Sequence, residues 1–471
     1  MERVVLLALA SVFTVLTTRP AEAAPLALSW GGGWQWYSNG PNPKGQSQKA
    51  LPYNAMCMNN TPTGIGIYAP TAANWNGKVM YWFDGGGVCY DQRSCAAPAS
   101  PSALLGDFFA GKYPLAPFVF RDHFNTSDFW TYVQTGVGLN INGLMQPGPV
   151  LDSGVFDHDS TNSAKNPFKN YVEVFVPYCT GDFHVGFNND TASTIPGRIK
   201  SGINFNGWAN AVNAVSAADL AISSASTGKT ITQTVVAGGS AGGYGSLLLY
   251  GTIRALLPTT EHMITISDAG TPYATGQPNA AGTAWTSQGY LSIPPGPAPP
   301  PADQTVQGPK TPSKVSYMED YMADAFGSTW SGVYPASLKQ TPKGAVHGFY
   351  SIQSVIYYNY VNALTNHSFR GYGDRFYVID GNNDYIDPFF FNMFLQGNGT
   401  PTIATAQSQV VATFGTGFLY QVTNAGANIT SGSIPWSEHH GYLGDDIATW
   451  DSSQFFAPGS GVKQFLSTIP L

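Results

Sequence analysis

Residues 235–250, VVAGGSAGGYGSLLLY, run from an apolar stretch through a glycine-bracketed serine straight into a second apolar stretch of helical type. Strand, tight turn and helix in direct succession predict a strand feeding a crossover helix, the unit of a parallel sheet. Small residues on both sides of Ser240 leave room for a turn that larger side chains would crowd. The segment fits neither common phosphate loop: it lacks the glycine spacing of GxGxxG and the GK[ST] ending of a P-loop.

Three further blocks extend the pattern. Residues 76–84 (NGKVMYWFD) predict a buried strand feeding Gly85-Gly86-Gly87, and 171–177 (YVEVFVP) predict a second strand leading into YCTGD. Residues 206–224 carry alanine and apolar residues at helical spacing, and 375–379 (RFYVI) predict a last strand before the loop DGNNDYIDP. Strands alternating with helices give an α/β class, with a mostly parallel sheet covered by helices on both faces. Residues 24–471 are expected to form one domain. About 254–370 would be a lid-like insertion, with helix near 317–326 and 349–362 and an exposed polyproline-like run within 271–320.

The N-terminus reads as a secretory signal over 1–23: Arg3 gives the basic start, 4–16 is apolar, and Ala21-Glu22-Ala23 is a small-x-small cleavage site. About 13 apolar residues fall short of the roughly 20 that span a bilayer, so the mature chain is expected to be secreted, extracellular or periplasmic, with no membrane span. Four cysteines in an oxidising destination point to two disulfides among Cys57, Cys89, Cys95 and Cys179. Three pairings are possible; Cys89 and Cys95 flank a short loop and could close it, which leaves Cys57 with Cys179. Their spacing suits no zinc site, and no metal is expected. The run DHDSTN at 157–162 lacks the glycine and terminal glutamate of a calcium loop and reads as a solvated turn. With 21 basic against 28 acidic residues and a net charge of −7, the chain is no basic nucleic-acid binder.

The chemistry-bearing residues fall into a serine hydrolase order. Gly238-Gly239-Ser240-Ala241-Gly242 matches GxSxG, in which serine sits on a strand-to-helix turn of an α/β-hydrolase fold and the helix N-terminus favours developing negative charge. Asp84-Gly85-Gly86-Gly87 resembles the HGGG loop of esterases with Asp in place of His, so Gly86, Gly87 and Ala241 are the expected oxyanion donors. The acid and base should follow the serine. Asp384 after the last strand is the preferred acid, with Asp380 and Asp387 as competitors. In Trp436-Ser437-Glu438-His439-His440-Gly441, His440 is the preferred base and His439 the alternative. His184 precedes the serine and reads as a pocket or satisfied structural histidine.

These residues resemble the pectin acetylesterase and Notum-like family of secreted carboxylesterases. The resemblance rests on FDGGGVCYD at 83–91, NPFKNYVEVFVPYCTGDFHVG at 166–186, GGSAGG at 238–243 and AMCMNNTPTGIGIY at 55–68. It implies an α/β-hydrolase fold, a Ser-Asp-His triad and O-deacylation without a cofactor. Carried over by position, the triad is Ser240, Asp384 and His440, and the oxyanion donors are Gly86, Gly87 and Ala241. Its pairing pattern implies Cys57 with Cys179 and Cys89 with Cys95. Where many members have an aromatic residue in the glycine loop, this chain has Gly87, which opens that wall.

The resulting expectation is a serine carboxylesterase that removes acetyl or other short acyl groups from an acylated carbohydrate or small ester, with polysaccharide as the preferred substrate. The net charge of −7 disfavours long-range attraction to polyanionic pectin. Trp34, Trp36, Trp208 and Trp436 could stack on sugar rings, although packing is their commoner role. The competing readings are a catalytically silent carbohydrate-binding protein on the same scaffold and a lipase or peptidase using the same triad.

Overall fold

In the computed structural model the described residues are 26–89, 95, 121–134, 151, 153–158, 166–188, 203–225, 228–272, 277–278, 285–286, 339–340, 349–350, 352–365, 373–381, 403–414, 418–422, 443 and 461–471. The signal segment, Asp384, Asp387, His439, His440, Trp436 and the helix expected at 317–326 lie outside them.

Eight strands build one sheet: β1 (Gly33–Ser38), β2 (Gly64–Ala69), β3 (Lys78–Phe83), β4 (Val172–Val176), β5 (Gln233–Gly239), β6 (His262–Asp268), β7 (Arg375–Gly381) and β8 (Leu419–Val422). Their spatial order is β1-β2-β4-β3-β5-β6-β7-β8. The β1–β2 and β2–β4 pairs are antiparallel, and every pair from β4 to β8 is parallel. Alternation along the central strands divides the core. Val79, Tyr81, Phe83 and Val236 face one apolar cluster; Met80, Trp82, Val235, Ala237, Ile264 and Ile266 face the other.

Both faces are covered by helix. α1 (Thr126–Gln134) and α6 (Val462–Ser467) put Phe129, Tyr132 and Phe465 on one face. On the other, α2 (Gly207–Ser224), α3 (Ala241–Leu256), α4 (Ile352–Thr365) and α5 (Ile403–Phe414) pack through residues such as Val215, Leu247, Val355 and Phe414. In α2 the buried positions Ala211, Ala214, Val215, Ala218, Ala221 and Ile222 recur every three or four residues, which is why this alanine-rich stretch is helical against the sheet. The fold is that of an α/β hydrolase.

Several expectations shift. Residues 254–268 are not inserted over the sheet: they finish α3 and form β6, a central strand whose residues from Met263 onward are buried. The helix expected from 349 begins at Ile352, and Phe349–Tyr350 pair instead with Lys339–Gln340 as a short antiparallel ladder. The last predicted strand continues through Asp380 to Gly381. The start of the 157–162 run is buried rather than solvated. His158 stacks on Tyr68 with ring centroids 3.6 Å apart, and its Nε2 meets Glu173 Oε2 at 3.0 Å. Burial raises the Glu173 carboxyl and the neighbouring imidazole lowers it, the first effect being larger. Among the described residues no helix is long and apolar enough to cross a membrane.

The disulfides are Cys57–Cys179 and Cys89–Cys95, as expected. Cys57–Cys179 ties the segment before β2 to the loop after β4. In the same place the Met58 N–H donates to the Cys179 carbonyl at 2.9 Å, and the Cys89 N–H donates to the Gly181 carbonyl at 2.8 Å. The loop after β4 is thus fastened to the segments on either side of it.

Candidate active site

Ser240 occupies the junction of β5 and α3 with φ 53° and ψ −120°. A non-glycine residue held there carries backbone strain of order 1–3 kcal/mol, which persists only where the surroundings over-determine it. They do so here. The Ser240 N–H donates to the Asp268 carbonyl at the end of β6 at 2.7 Å, and the Ser240 carbonyl accepts the Tyr244 N–H at 3.1 Å. Gly242, in the first turn of α3, lies so close to β3 that an added methyl would collide with the Phe83 carbonyl and stand 2.5 Å from that of Asp84. The glycines around the serine therefore let a helix start between strand ends. Ser240 itself is half-buried and Ala241 is buried behind it.

The loop after β3 closes over this turn. A methyl on Gly85 would stand 2.5 Å from the Gly239 carbonyl oxygen and 3.0 Å from Ser240 Cβ, so the first glycine of the run lies directly against the serine. Gly86 lies against the Tyr178 ring, where a methyl would come to 2.8 Å, and Gly87 has φ 81°, a conformation that favours glycine.

Asp84, which stands where HGGG loops have histidine, anchors the loop from both ends. Its N–H donates to the Val176 carbonyl at 3.0 Å, and its carbonyl accepts from His184 Nε2 at 2.9 Å. Its carboxylate meets Arg121 at 3.5 Å and accepts the backbone N–H groups of Gly85 and Tyr178. Burial outweighs these partners and pushes the Asp84 carboxyl up to about 6. Arg121 lies in turn over the Tyr132 ring, 4.5 Å from its centroid.

Sequence reasoning missed Asp268. It is buried at the end of β6; its carbonyl holds the Ser240 N–H and its Oδ2 accepts the Leu443 N–H at 2.8 Å. The Leu443 carbonyl accepts the Val155 N–H at 2.8 Å. Asp380, a competitor for the acid role, lies within β7. It accepts Thr271 Oγ1–H at 2.5 Å and the Gly381 N–H at 2.8 Å, with Gln407 Nε2 at 3.4 Å. His184 is buried. Trp36 is buried and stacked on Phe129, and half-buried Trp34 donates to the Leu151 carbonyl at 2.8 Å, so both are packing residues. Trp208 meets exposed Phe187 edge-on. Among the described residues no group of three His, Cys, Asp or Glu side chains is placed to hold a metal ion.

A serine on a strained elbow between the central strand and helix of a β1-β2-β4-β3-β5-β6-β7-β8 sheet, capped by a glycine loop from the neighbouring strand, defines the α/β-hydrolase class. Within that class, residues 151–290 match the model of the pectinacetylesterase family, which bears out the resemblance visible in the motifs. The matched segment holds β4, the loop after it, α2, the elbow, α3 and β6. Among solved structures, the Wnt deacylase Notum from Drosophila is similar at a TM-score of 0.44 and 15% identity, over 78% of this chain and 80% of that one. No curated protein matches the chain.

Proposed function

We propose that the chain is a secreted serine carboxylesterase that removes acetyl or other short acyl groups, with acylated polysaccharide as its substrate class and Ser240 as its nucleophile. The observation that carries the reading is the strained Ser240 backbone, with Gly85 packed against its Cβ.

Chain connectivity supports the partners. His440 lies three residues before Leu443, which is bonded to Asp268, and Asp384 lies three residues after Gly381 at the end of β7. Three residues reach at most about 10 Å. Gly239 and Ile379 both pair with Asp268 across β6, so the ends of β5 and β7 are about 10 Å apart, two inter-strand spacings. These short tethers favour His440 and Asp384 as the partners of Ser240.

In this mechanism His440 accepts the Ser240 hydroxyl proton as Oγ attacks the ester carbonyl carbon, and Asp384 holds the imidazole and balances its charge. The tetrahedral oxyanion is met by the amides of Gly86, Gly87 and Ala241; Gly85 is not included because its N–H serves the Asp84 carboxylate. Collapse expels the alcohol, which takes the proton from His440, and leaves an acyl-serine. Water, deprotonated by the same histidine, attacks that acyl group and releases the carboxylic acid.

Acetate release from acetylated xylan, acetylated pectin and p-nitrophenyl acetate by the mature chain, with Ser240→Ala beside it, tests the reading. Hydrolysis abolished by the substitution supports it. An inactive wild-type chain would point to the silent binding protein, and a preference for long p-nitrophenyl acyl chains to a lipase.

A further inference from the structure

We propose that His184 is a positioning residue for the oxyanion loop: its imidazole holds the Asp84 carbonyl and thereby sets the orientation of the glycine run beside Ser240. The proposal rests on the esterase reading and deepens it.

His184 lies on the loop after β4, in the buried stretch 177–186, and is 1% exposed. Its neighbour Phe183 has φ 54° and His184 itself φ 60°, two consecutive non-glycine residues in the left-handed region. Such a pair is retained only where its surroundings enforce it. The Phe183 N–H donates to the Tyr178 hydroxyl at 3.0 Å and the His184 N–H to Asp182 Oδ1 at 3.0 Å. Asp182 is held in turn by the Thr180 hydroxyl at 2.6 Å and, through Oδ2, by the Gly207 N–H at the start of α2 at 2.8 Å. The loop is thus braced on a long helix and aims one side chain at β3.

That side chain reaches Asp84. Nε2 is 2.9 Å from the Asp84 carbonyl oxygen, and a carbonyl only accepts, so Nε2 carries the proton. The ring is wedged between Phe83 and Tyr178, with centroids 5.0 and 4.8 Å away, and against Gly245 of α3, where a methyl would stand 3.2 Å from it. Peptide planarity does the rest. Fixing the Asp84 carbonyl fixes the plane shared with the Gly85 N–H, the first amide of the run, which donates to the Asp84 carboxylate. The same carbonyl lies against Gly242 of the elbow, so the two halves of the oxyanion hole share one clamped group.

Burial lowers the imidazole to about 4, so near neutral pH it is a single, uncharged donor. With Nε2–H engaged on a carbonyl, that nitrogen cannot take the Ser240 proton, which separates this histidine from the base. Among groups facing it, Asp182 and Asp84 present a backbone-bonded carboxylate and a carbonyl respectively.

The test compares His184→Met, which lacks the donor, with His184→Gln, whose amide nitrogen substitutes for Nε2, and His184→Asn, whose shorter amide does not reach. Expected for methionine is a 10- to 100-fold fall in kcat on p-nitrophenyl acetate with KM within twofold, and a parallel weakening of a trifluoromethyl ketone transition-state mimic. Glutamine should restore most of kcat and asparagine should not. Wild-type kcat in the methionine variant would overturn the proposal, as would equal rates in the glutamine and asparagine variants, which decide the matter if methionine does not fold. If the wild type shows no Ser240-dependent hydrolysis, the esterase reading itself fails first, so the two failures are distinct.

Discussion

The carboxylate of Asp268 accepts the backbone N–H of Leu443 at 2.8 Å, while the carbonyl of the same residue accepts the Ser240 N–H at 2.7 Å. One buried residue thus joins the turn of Ser240, the proposed nucleophile, to a point three residues beyond His440. Errors of about 1 Å in such a placement are enough to slow chemistry up to a hundredfold.

Asp268→Ala is therefore expected to lower kcat on an acetyl ester by about tenfold or more with a smaller change in KM, because Leu443, three residues beyond the proposed base His440, loses its tie. Asp268→Asn keeps an acceptor for Leu443 and should retain most activity. Steady-state kinetics on both variants check this; an unchanged alanine variant contradicts the tie.

Gly85→Ala places a methyl 2.5 Å from the Gly239 carbonyl oxygen and 3.0 Å from Ser240 Cβ. The loop must move away from the elbow, and its amides with it. Activity should fall by about 100-fold or more, while circular dichroism reports an intact sheet.

Asp182→Ala removes the acceptor of the Gly207 and His184 amides and of the Thr180 hydroxyl, all in a buried loop. Each donor left without a partner costs about 1–3 kcal/mol, so urea denaturation should show a loss of roughly 3 kcal/mol or more. A loss below about 1 kcal/mol would mean that water enters the loop.

His184 also carries a pH signature. Its folded value of about 4 lies below the 6.5 of an unperturbed histidine, so between these values the unfolded chain binds more protons than the folded one. Stability from this residue is full above about 6.5 and declines as pH falls towards 4, by ~3 kcal/mol in all. Asp84, raised from 3.8 to about 6, acts oppositely and loses stability as pH rises through that window. The His184→Gln variant removes the first effect and leaves the second. Its stability relative to wild type should improve between pH 7 and pH 4.5 in calorimetric melts.

The two disulfides should differ in weight. Cys57–Cys179 closes a sequence separation of 122 residues against 6 for Cys89–Cys95. By loop entropy the first contributes about 5 kcal/mol and the second about 2 kcal/mol. Replacing each pair by alanine and comparing denaturation midpoints checks the order.

The strands legible in sequence are those whose burial is carried by runs of apolar side chains. β3, β4 and β5 are nearly unbroken apolar runs, and the elbow and the glycine loop follow two of them. β1 and β2 were missed because their patterns are interrupted: Gly66 makes room for the Phe129 ring, and Trp36 is buried while Gly33 is exposed. β6, HMITISD, hides its burial behind threonine and serine, which left it inside an assumed insertion. In the site, Ser240 and the glycine loop were legible because their chemistry demands small neighbours. The holding roles of Asp268 and His184 were not, since they depend on contacts between residues far apart in sequence and, for His184, on a left-handed backbone that no local pattern announces.

The most direct test of the account is covalent. Treating the chain with a fluorophosphonate and mapping its peptides should find a single adduct, on Ser240, formed in parallel with the loss of esterase activity. Loss of activity with the adduct on another residue, or full activity in a chain quantitatively labelled at Ser240, would contradict it.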